Sequence, residues 1–168
     1  LGRLNANGFE KKSQPNLVVD EAHNLPSRAC DYYSAELSTL EILSFRAGFG
    51  HLSNELRDLA DRLVEESVLL ISSVNETNST RPIKITLDIT RFFDHGVRVQ
   101  ELLARYLESS VDFQTQDSVL IFCNTWSTFL QSIENLTEDF FTTYTPSPTG
   151  GTIKITCCDA STRLNEAY

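Results

Sequence analysis

The spacing of apolar residues predicts a chain built mainly from amphipathic helices. Over 56–71 the aliphatic residues recur every three or four positions, and charged residues occupy most positions between them, as on a helix with one buried face. Similar stripes run over 90–109 and 117–136. These three segments are predicted to be the main helices of the domain.

The last of these stripes is rich in aromatic residues. Phe122, Trp126 and Phe129 follow strict helical spacing, so we expect them in the core rather than on a base-stacking surface. In the middle helix, Gly96 predicts an interruption of the first turns, because glycine is a poor helix former.

Two shorter helices are predicted near the beginning of the chain. Pro26 marks a turn, and a short helix follows over 27–33. Another begins after Ser38, and Gly48 and Gly50 are expected to end it.

Strand-like segments complete the pattern. Apolar and polar residues alternate over 83–89, and two similar runs over 139–145 and 151–159 flank a Pro-Ser-Pro-Thr-Gly segment. The last two predict a β-hairpin, and Lys84 and Lys154 are expected on solvated faces. The fold class is therefore α+β, with about four helices packed against a small antiparallel sheet.

The bulk composition restricts the function classes. The chain has 168 residues and a net charge of −9, which disfavours strong DNA binding by this chain alone. No apolar run reaches the roughly 20 residues that span a bilayer, so we expect no membrane contact and a cytoplasmic location. The chain contains no Met, and we expect it to be a piece of a longer polypeptide.

The cysteines and histidines suggest no metal site. Cys30, Cys123, Cys157 and Cys158 form no C-x-x-C pair, so we predict four reduced thiols, most of them buried. His51 and His95 are isolated in the sequence and are predicted to lie at the surface without a metal partner.

Reactive groups are most concentrated in "LVVDEAH", where an aliphatic run over 17–19 precedes Asp20, Glu21 and His23. An aliphatic run of this kind suits a buried parallel strand, and ligands bind at the carboxyl ends of such strands. Asp20 is a candidate Mg²⁺ ligand, and Glu21 is a candidate base for the water that attacks ATP. His23 would report the γ-phosphate state. The alternative is a solvated acidic pair without a role.

At both ends the chain resembles a known family. "NLVVDEAHNLPSRACDYYSAELS" is similar to motif II of the XPD/DinG family of superfamily-two DNA helicases, and "GGTIKITCCDAS" resembles the segment that returns the family's chain to its first motor domain. The resemblance implies three parts: 1–25 with the DEAH motif of motor domain 1, 26–150 as a helical arch insert, and 151–168 as the return strand. It also implies a stub of the parallel motor sheet at the DEAH strand.

The resemblance implies an ATP- and Mg²⁺-dependent helicase that moves 5′ to 3′, acts in DNA repair, and binds single-stranded or forked DNA. It assigns Asp20 to Mg²⁺, Glu21 to water activation, and His23 to the coupling of hydrolysis with DNA movement. The chain has no G-x-x-x-x-G-K-[ST] phosphate loop, so we expect activity only in the complete protein. The family's iron–sulfur cluster would be held by cysteines that precede the DEAH motif, not by this chain. The alternative is a protein–protein interaction module without a catalytic role.

Three arginines recur every seven residues in the middle helix. Arg91, Arg98 and Arg105 would form one stripe, which is a candidate contact for the phosphates of single-stranded DNA. The competing and favoured interpretation is a solvated helix face with nearby partners such as Glu101 and Glu108.

Overall fold

A computed structural model of the chain describes residues 22–75, 79–109 and 116–161. These residues form five α-helices and a four-stranded antiparallel sheet, which confirms the α+β class. In chain order the elements are α1 (Leu25–Tyr33), β1 (Ala35–Ser38), α2 (Thr39–Ser44), α3 (Asn54–Ser73), β2 (Ile83–Lys84), α4 (Ile89–Glu108), α5 (Ser118–Glu134), β3 (Phe140–Ser147) and β4 (Gly150–Cys157). Short 3₁₀ helices cover Ala22–Asn24 and Phe45–His51.

The three long helices match the predicted segments to within a few residues, and side chains cap their first turns. The Ser53 hydroxyl accepts a hydrogen bond from the Leu56 N–H at the start of α3. At α5, Asp117 Oδ1 accepts bonds from Val119 N and Leu120 N, at 2.9 and 3.1 Å. These caps satisfy backbone donors that a helix leaves unpaired at its beginning.

The predicted break at Gly96 is wrong. The helix α4 runs through this residue without interruption. A Cβ atom at Gly96 would lie 2.2 Å from Leu130 Cδ1 of α5. The glycine therefore serves the close approach of two helices rather than the end of one.

The sheet has the strand order β1-β4-β3-β2. The predicted hairpin is confirmed, because β3 pairs with β4 along its whole length. The segment 83–89 contributes only Ile83–Lys84, because Asp88 already caps α4. Strand β1, which pairs with β4, was not predicted. The parallel strand expected over 17–19 lies outside the described residues.

The hairpin turn is fixed onto α2. Gly150 has φ +129°, a conformation that L side chains rarely adopt. Tyr144 O–H donates to the Gly150 carbonyl at 2.5 Å, and Thr39 Oγ1 accepts the Gly151 N–H at 3.0 Å. The Gly151 hydrogen bond thus ties the hairpin turn to the first residue of α2.

The core lies between the helices and one face of the sheet. The largest fully buried side chains come from α4, α5, β3 and the 3₁₀ helix: Trp126, Tyr106, Tyr144, Phe49, Phe92, Phe122 and Phe129. The aromatic residues of α5 are therefore core residues, as predicted. Lys84 and Lys154 lie on the opposite, exposed face of the sheet, which confirms their predicted location.

Candidate functional site

The DEAH stretch lies at the boundary of the described structure. Asp20 and Glu21 lie outside the described residues. His23 lies in the 3₁₀ helix Ala22–Asn24 and is exposed. The chain then enters α1, which has Pro26 in its first turn, where the missing proline N–H costs nothing.

The return segment is a short polar turn after β4. Asp159 Oδ1 accepts the Ser161 N–H at 2.8 Å, and the carboxylate itself is fully exposed. This backbone hydrogen bond lowers the pKa of Asp159, because it stabilises the charged form. Ala160, between them, is buried.

These two segments meet in space. Ala29 of α1 packs with Cys157 and Ala160 in a small apolar cluster that is separate from the main core. The Ser34 hydroxyl joins the same elements, since it donates to the Cys30 carbonyl at 2.7 Å and accepts the Cys157 N–H at 3.0 Å. The helix that follows the DEAH stretch thus lies against the strand that precedes Asp159.

The three arginines of α4 are all exposed. Arg98 forms an ion pair with Glu66 of α3, with Nη2 and Oε2 2.7 Å apart, and Arg98 Nη1 donates a hydrogen bond to Oε1 at 3.1 Å. Its partner is therefore on a neighbouring helix, rather than at Glu101 on its own helix. Arg91, Arg98 and Arg105 therefore lie on a solvated helix face, and Arg98 also contacts Glu66 of the neighbouring helix.

His95 is buried, and its predicted surface location is wrong. Its side chain is 3% exposed and packs against the Trp126 ring, with ring centroids 4.5 Å apart. Nε2 lies 2.8 Å from Ser67 Oγ, which itself donates to the Leu63 carbonyl. Because that hydroxyl proton is already used, His95 Nε2 carries the proton, and Nδ1 accepts from Arg98 at 3.2 Å. Burial, with a smaller effect of Arg98, lowers the pKa of His95 from 6.5 to about 4.

A second polar group joins the 3₁₀ helix, α4 and the start of α5. Tyr106 O–H donates to Asp117 Oδ2, and His51 Nε2 lies 3.2 Å from the Tyr106 oxygen. His51 Nδ1 lies 2.9 Å from the Gly48 carbonyl. Desolvation and the Asp117 carboxylate raise the pKa of Tyr106 to about 12. His51 is half-buried, with 22% of its side chain exposed, so it lies at the edge of the surface rather than fully on it. The hydrogen bonds of this group connect the three elements.

Spacing could have revealed the burial of His95, because it lies three residues after Phe92 and four before Val99 on the apolar stripe of α4. The link between Tyr106 and Asp117 joins two helices and had no local signal.

Two recesses are present among the described residues. One of about 210 Å³ lies between α4 and α5, below the size of ordinary small-molecule sites, and a wider one of about 480 Å³ is open to solvent beside Asp58, Asp61, Arg62 and Glu65 of α3. In this part of the chain, no three His, Cys, Asp or Glu side chains come together as a metal site would require. All four cysteines are free thiols: Cys123 and Cys157 are buried, Cys30 is half-buried, and Cys158 is exposed.

No protein-family model matches the chain, and no curated protein matches it significantly.

Within residues 22–75, 79–109 and 116–161, no helix has the length and apolar character needed to cross a membrane.

Proposed function

We propose that this chain is the DEAH-bearing, arch-like part of an ATP-dependent DNA helicase similar to the XPD/DinG family. In this proposal 1–25 carries the hydrolysis motif of a motor domain, 26–150 forms the insert beside the DNA path, and 151–168 returns to the motor. The complete protein would move 5′ to 3′ on single-stranded or forked DNA, act in repair, and work in the cytoplasm.

One observation carries the proposal: the two motif-bearing ends of the described structure lie together. The helix after His23 packs on the end of β4, and the Ser34 hydroxyl bonds to both elements. An insert that leaves one domain and returns to it requires its entry and exit to be adjacent. An independent module has no such requirement.

The chemistry of the DEAH stretch fits magnesium and a nucleotide. Carboxylate oxygens are the protein ligands that Mg²⁺ prefers, commonly one or two with substrate phosphates completing the shell. Asp20 would hold the ion, and Glu21 would orient the attacking water and take its proton. Mg²⁺ and ATP, when bound, supply the transferable phosphoryl group and neutralise its charge.

The rest of the ATP site must come from other parts of the complete protein. Phosphoryl transfer depends on several positioned groups acting together, and this sequence has no phosphate-binding loop. The small recess between α4 and α5 is lined mainly by apolar side chains and does not suit a triphosphate. A phosphate-binding motif and four cysteines before this segment, with further helicase motifs after it, are therefore expected in the complete reading frame.

The decisive experiment is Glu21→Gln in the complete protein. We expect ATP turnover in the presence of single-stranded DNA to fall by at least about 10²-fold, because removal of a general base costs about 10²–10⁴-fold. Binding of a non-hydrolysable ATP analogue should be retained, since Asp20 remains.

Glu36→Gln is the matched control, because Glu36 is an exposed residue on β1 away from the proposed chemistry. Its turnover should equal that of the wild type. Wild-type turnover in Glu21→Gln would exclude Glu21 as the base and, with it, this mechanism.

A specific feature supports the second candidate, a protein-interaction module. Leu40 and Leu69 are 66% and 69% exposed, and the chain is acidic. Under this second function the protein's role would survive Glu21→Gln, and paired Leu40→Ser and Leu69→Ser substitutions would abolish it without loss of folding.

A further inference from the structure

Two thiols from opposite ends of the described chain share one apolar cluster. Cys30 lies on α1 and Cys157 ends β4, and both pack with Ala29 and Ala160. The Cys157 thiol donates to the Asp159 carbonyl at 3.4 Å, and Cys30 packs against the cluster that contains this thiol. No other pair of cysteines on different elements has this arrangement among the described residues.

The backbone holds this pair in place. The Ser34 hydroxyl connects the Cys30 carbonyl to the Cys157 N–H. The next residue, Cys158, donates its N–H to the Asp139 carbonyl at 2.8 Å. Because neighbouring strand residues face opposite sides, Cys158 is exposed while Cys157 is 4% exposed.

We infer that Cys30 and Cys157 form a redox-active dithiol, which a low-molecular-weight disulfide oxidises to an intramolecular disulfide between α1 and β4. This inference is independent of the proposed helicase function. It gives the small apolar cluster a site of reversible oxidation in addition to its packing role.

Exposure decides the order of the steps. Cys30 is half-buried and Cys157 is buried, so the oxidant first meets Cys30. Burial, with the charge and hydrogen bond of Cys30, raises the pKa of Cys157 to about 11, so Cys157 stays protonated near neutral pH and does not attack the oxidant first, since the thiolate is the attacking species. Cys157 therefore acts as the resolving thiol.

The chemistry is two thiol–disulfide exchanges. The Cys30 thiolate attacks one sulfur of the oxidant RSSR, whose S–S bond breaks, and the released RS⁻ takes a proton from water. Cys157 then loses its proton to solvent and attacks the Cys30 sulfur of the mixed disulfide, which expels the second RS⁻ for protonation to RSH. The protein loses two electrons and two protons, and one RSSR becomes two RSH.

The test is non-reducing peptide mapping of the complete protein after incubation with oxidised glutathione and alkylation of the remaining thiols. We expect the major oxidised species to contain one peptide pair, linked through Cys30 and Cys157, with loss of both free thiols. Reduced glutathione should restore both thiols.

Two variants make the result specific. Cys158→Ser should form the same linked pair, because its thiol faces away from the cluster. Cys30→Ser, at a half-buried position, should leave Cys157 alkylated and form no linked pair. A stable glutathione adduct on Cys30, a Cys157–Cys158 bond, or no oxidation of Cys30 and Cys157 would each overturn the inference.

Discussion

At the scale of single residues, two buried polar side chains stand out: His95 in α4 and Asp117 at the beginning of α5. Each is nearly inaccessible to water, and each joins neighbouring elements. Asp117 caps α5 and accepts from Tyr106, whereas His95 connects Ser67 of α3 with Arg98. Buried polar groups are retained when their hydrogen bonds are made and are costly when a partner is removed.

The pKa of His95 gives a direct prediction for stability against pH. Its pKa is about 4 in the folded state and about 6.5 in the unfolded state, so the unfolded chain takes up the proton first as the pH falls. Stability from the neutral ring is complete above pH 6.5 and is lost between pH 6.5 and 4. The loss should be on the order of 2–3 kcal/mol.

His95→Gln isolates this loss, because an amide can donate to Ser67 Oγ but does not titrate. We expect the wild type to have a larger free energy of unfolding than the variant at pH 7.5, and this difference to shrink by roughly 2–3 kcal/mol at pH 4. Urea unfolding followed by circular dichroism measures the free energy of unfolding of each protein at both pH values. Asn124→Gln, an exposed change on α5, should have the same pH dependence of the free energy of unfolding as the wild type. A difference between the wild type and His95→Gln that does not change with pH would contradict the role assigned to His95.

At the scale of elements, the contact between α4 and α5 depends on Gly96. Glycine in a helix costs about 1 kcal/mol relative to alanine, so its presence in an unbroken α4 requires a packing reason. Leu130 supplies it, because its Cδ1 atom occupies the space that a Cβ atom at position 96 would need.

A double-mutant cycle tests this contact. Gly96→Ala should destabilise the wild-type protein by about 1 kcal/mol, because Leu130 must move and overpacking exceeds the gain in helix propensity. In a Leu130→Ala background the same change should stabilise by about 0.5–1 kcal/mol, because the obstruction is gone. The measurement is the free energy of unfolding of all four proteins.

Gly50 provides the matched control, since no side chain from another part of the fold lies within 4 Å of the place that a Cβ atom would take there. Gly50→Ala should have the same effect in the wild-type and the Leu130→Ala backgrounds. An equal effect of Gly96→Ala in both backgrounds would show that the glycine has no role in the approach of the helices.

The elements that sequence predicted well are those defined by local pattern. The helices α3, α4 and α5 carry long apolar stripes, and the β3–β4 hairpin has alternation on both sides of a Pro- and Gly-containing turn. Strand β1 escaped prediction because its four residues are defined by pairing with β4, a partner more than a hundred residues away. His51 and Asp117 were likewise brought together by tertiary packing, so no local spacing could pair them.

At the scale of the whole molecule, the charge distribution limits what the described surface can bind. The net charge is −9, and the arginine stripe of α4 places three exposed cations on one helix. Seven residues of helix rise by about 10 Å, so the stripe spaces its three arginines widely. One of them, Arg98, is already engaged by Glu66.

This arrangement predicts that the stripe contributes little to DNA binding. The triple variant Arg91→Gln, Arg98→Gln and Arg105→Gln, made in the complete protein, should bind single-stranded DNA with unchanged affinity and an unchanged dependence on salt. If these side chains did bind phosphates, removal of each one would lower the slope of log K against log salt by about 0.7. The measurement is fluorescence anisotropy across a salt series, with Arg62→Gln on α3 as the matched control. A slope reduced by about 1.4 or more in the triple variant alone would place at least two of these arginines on the DNA, and the insert would then hold the strand through α4 despite its acidic surroundings.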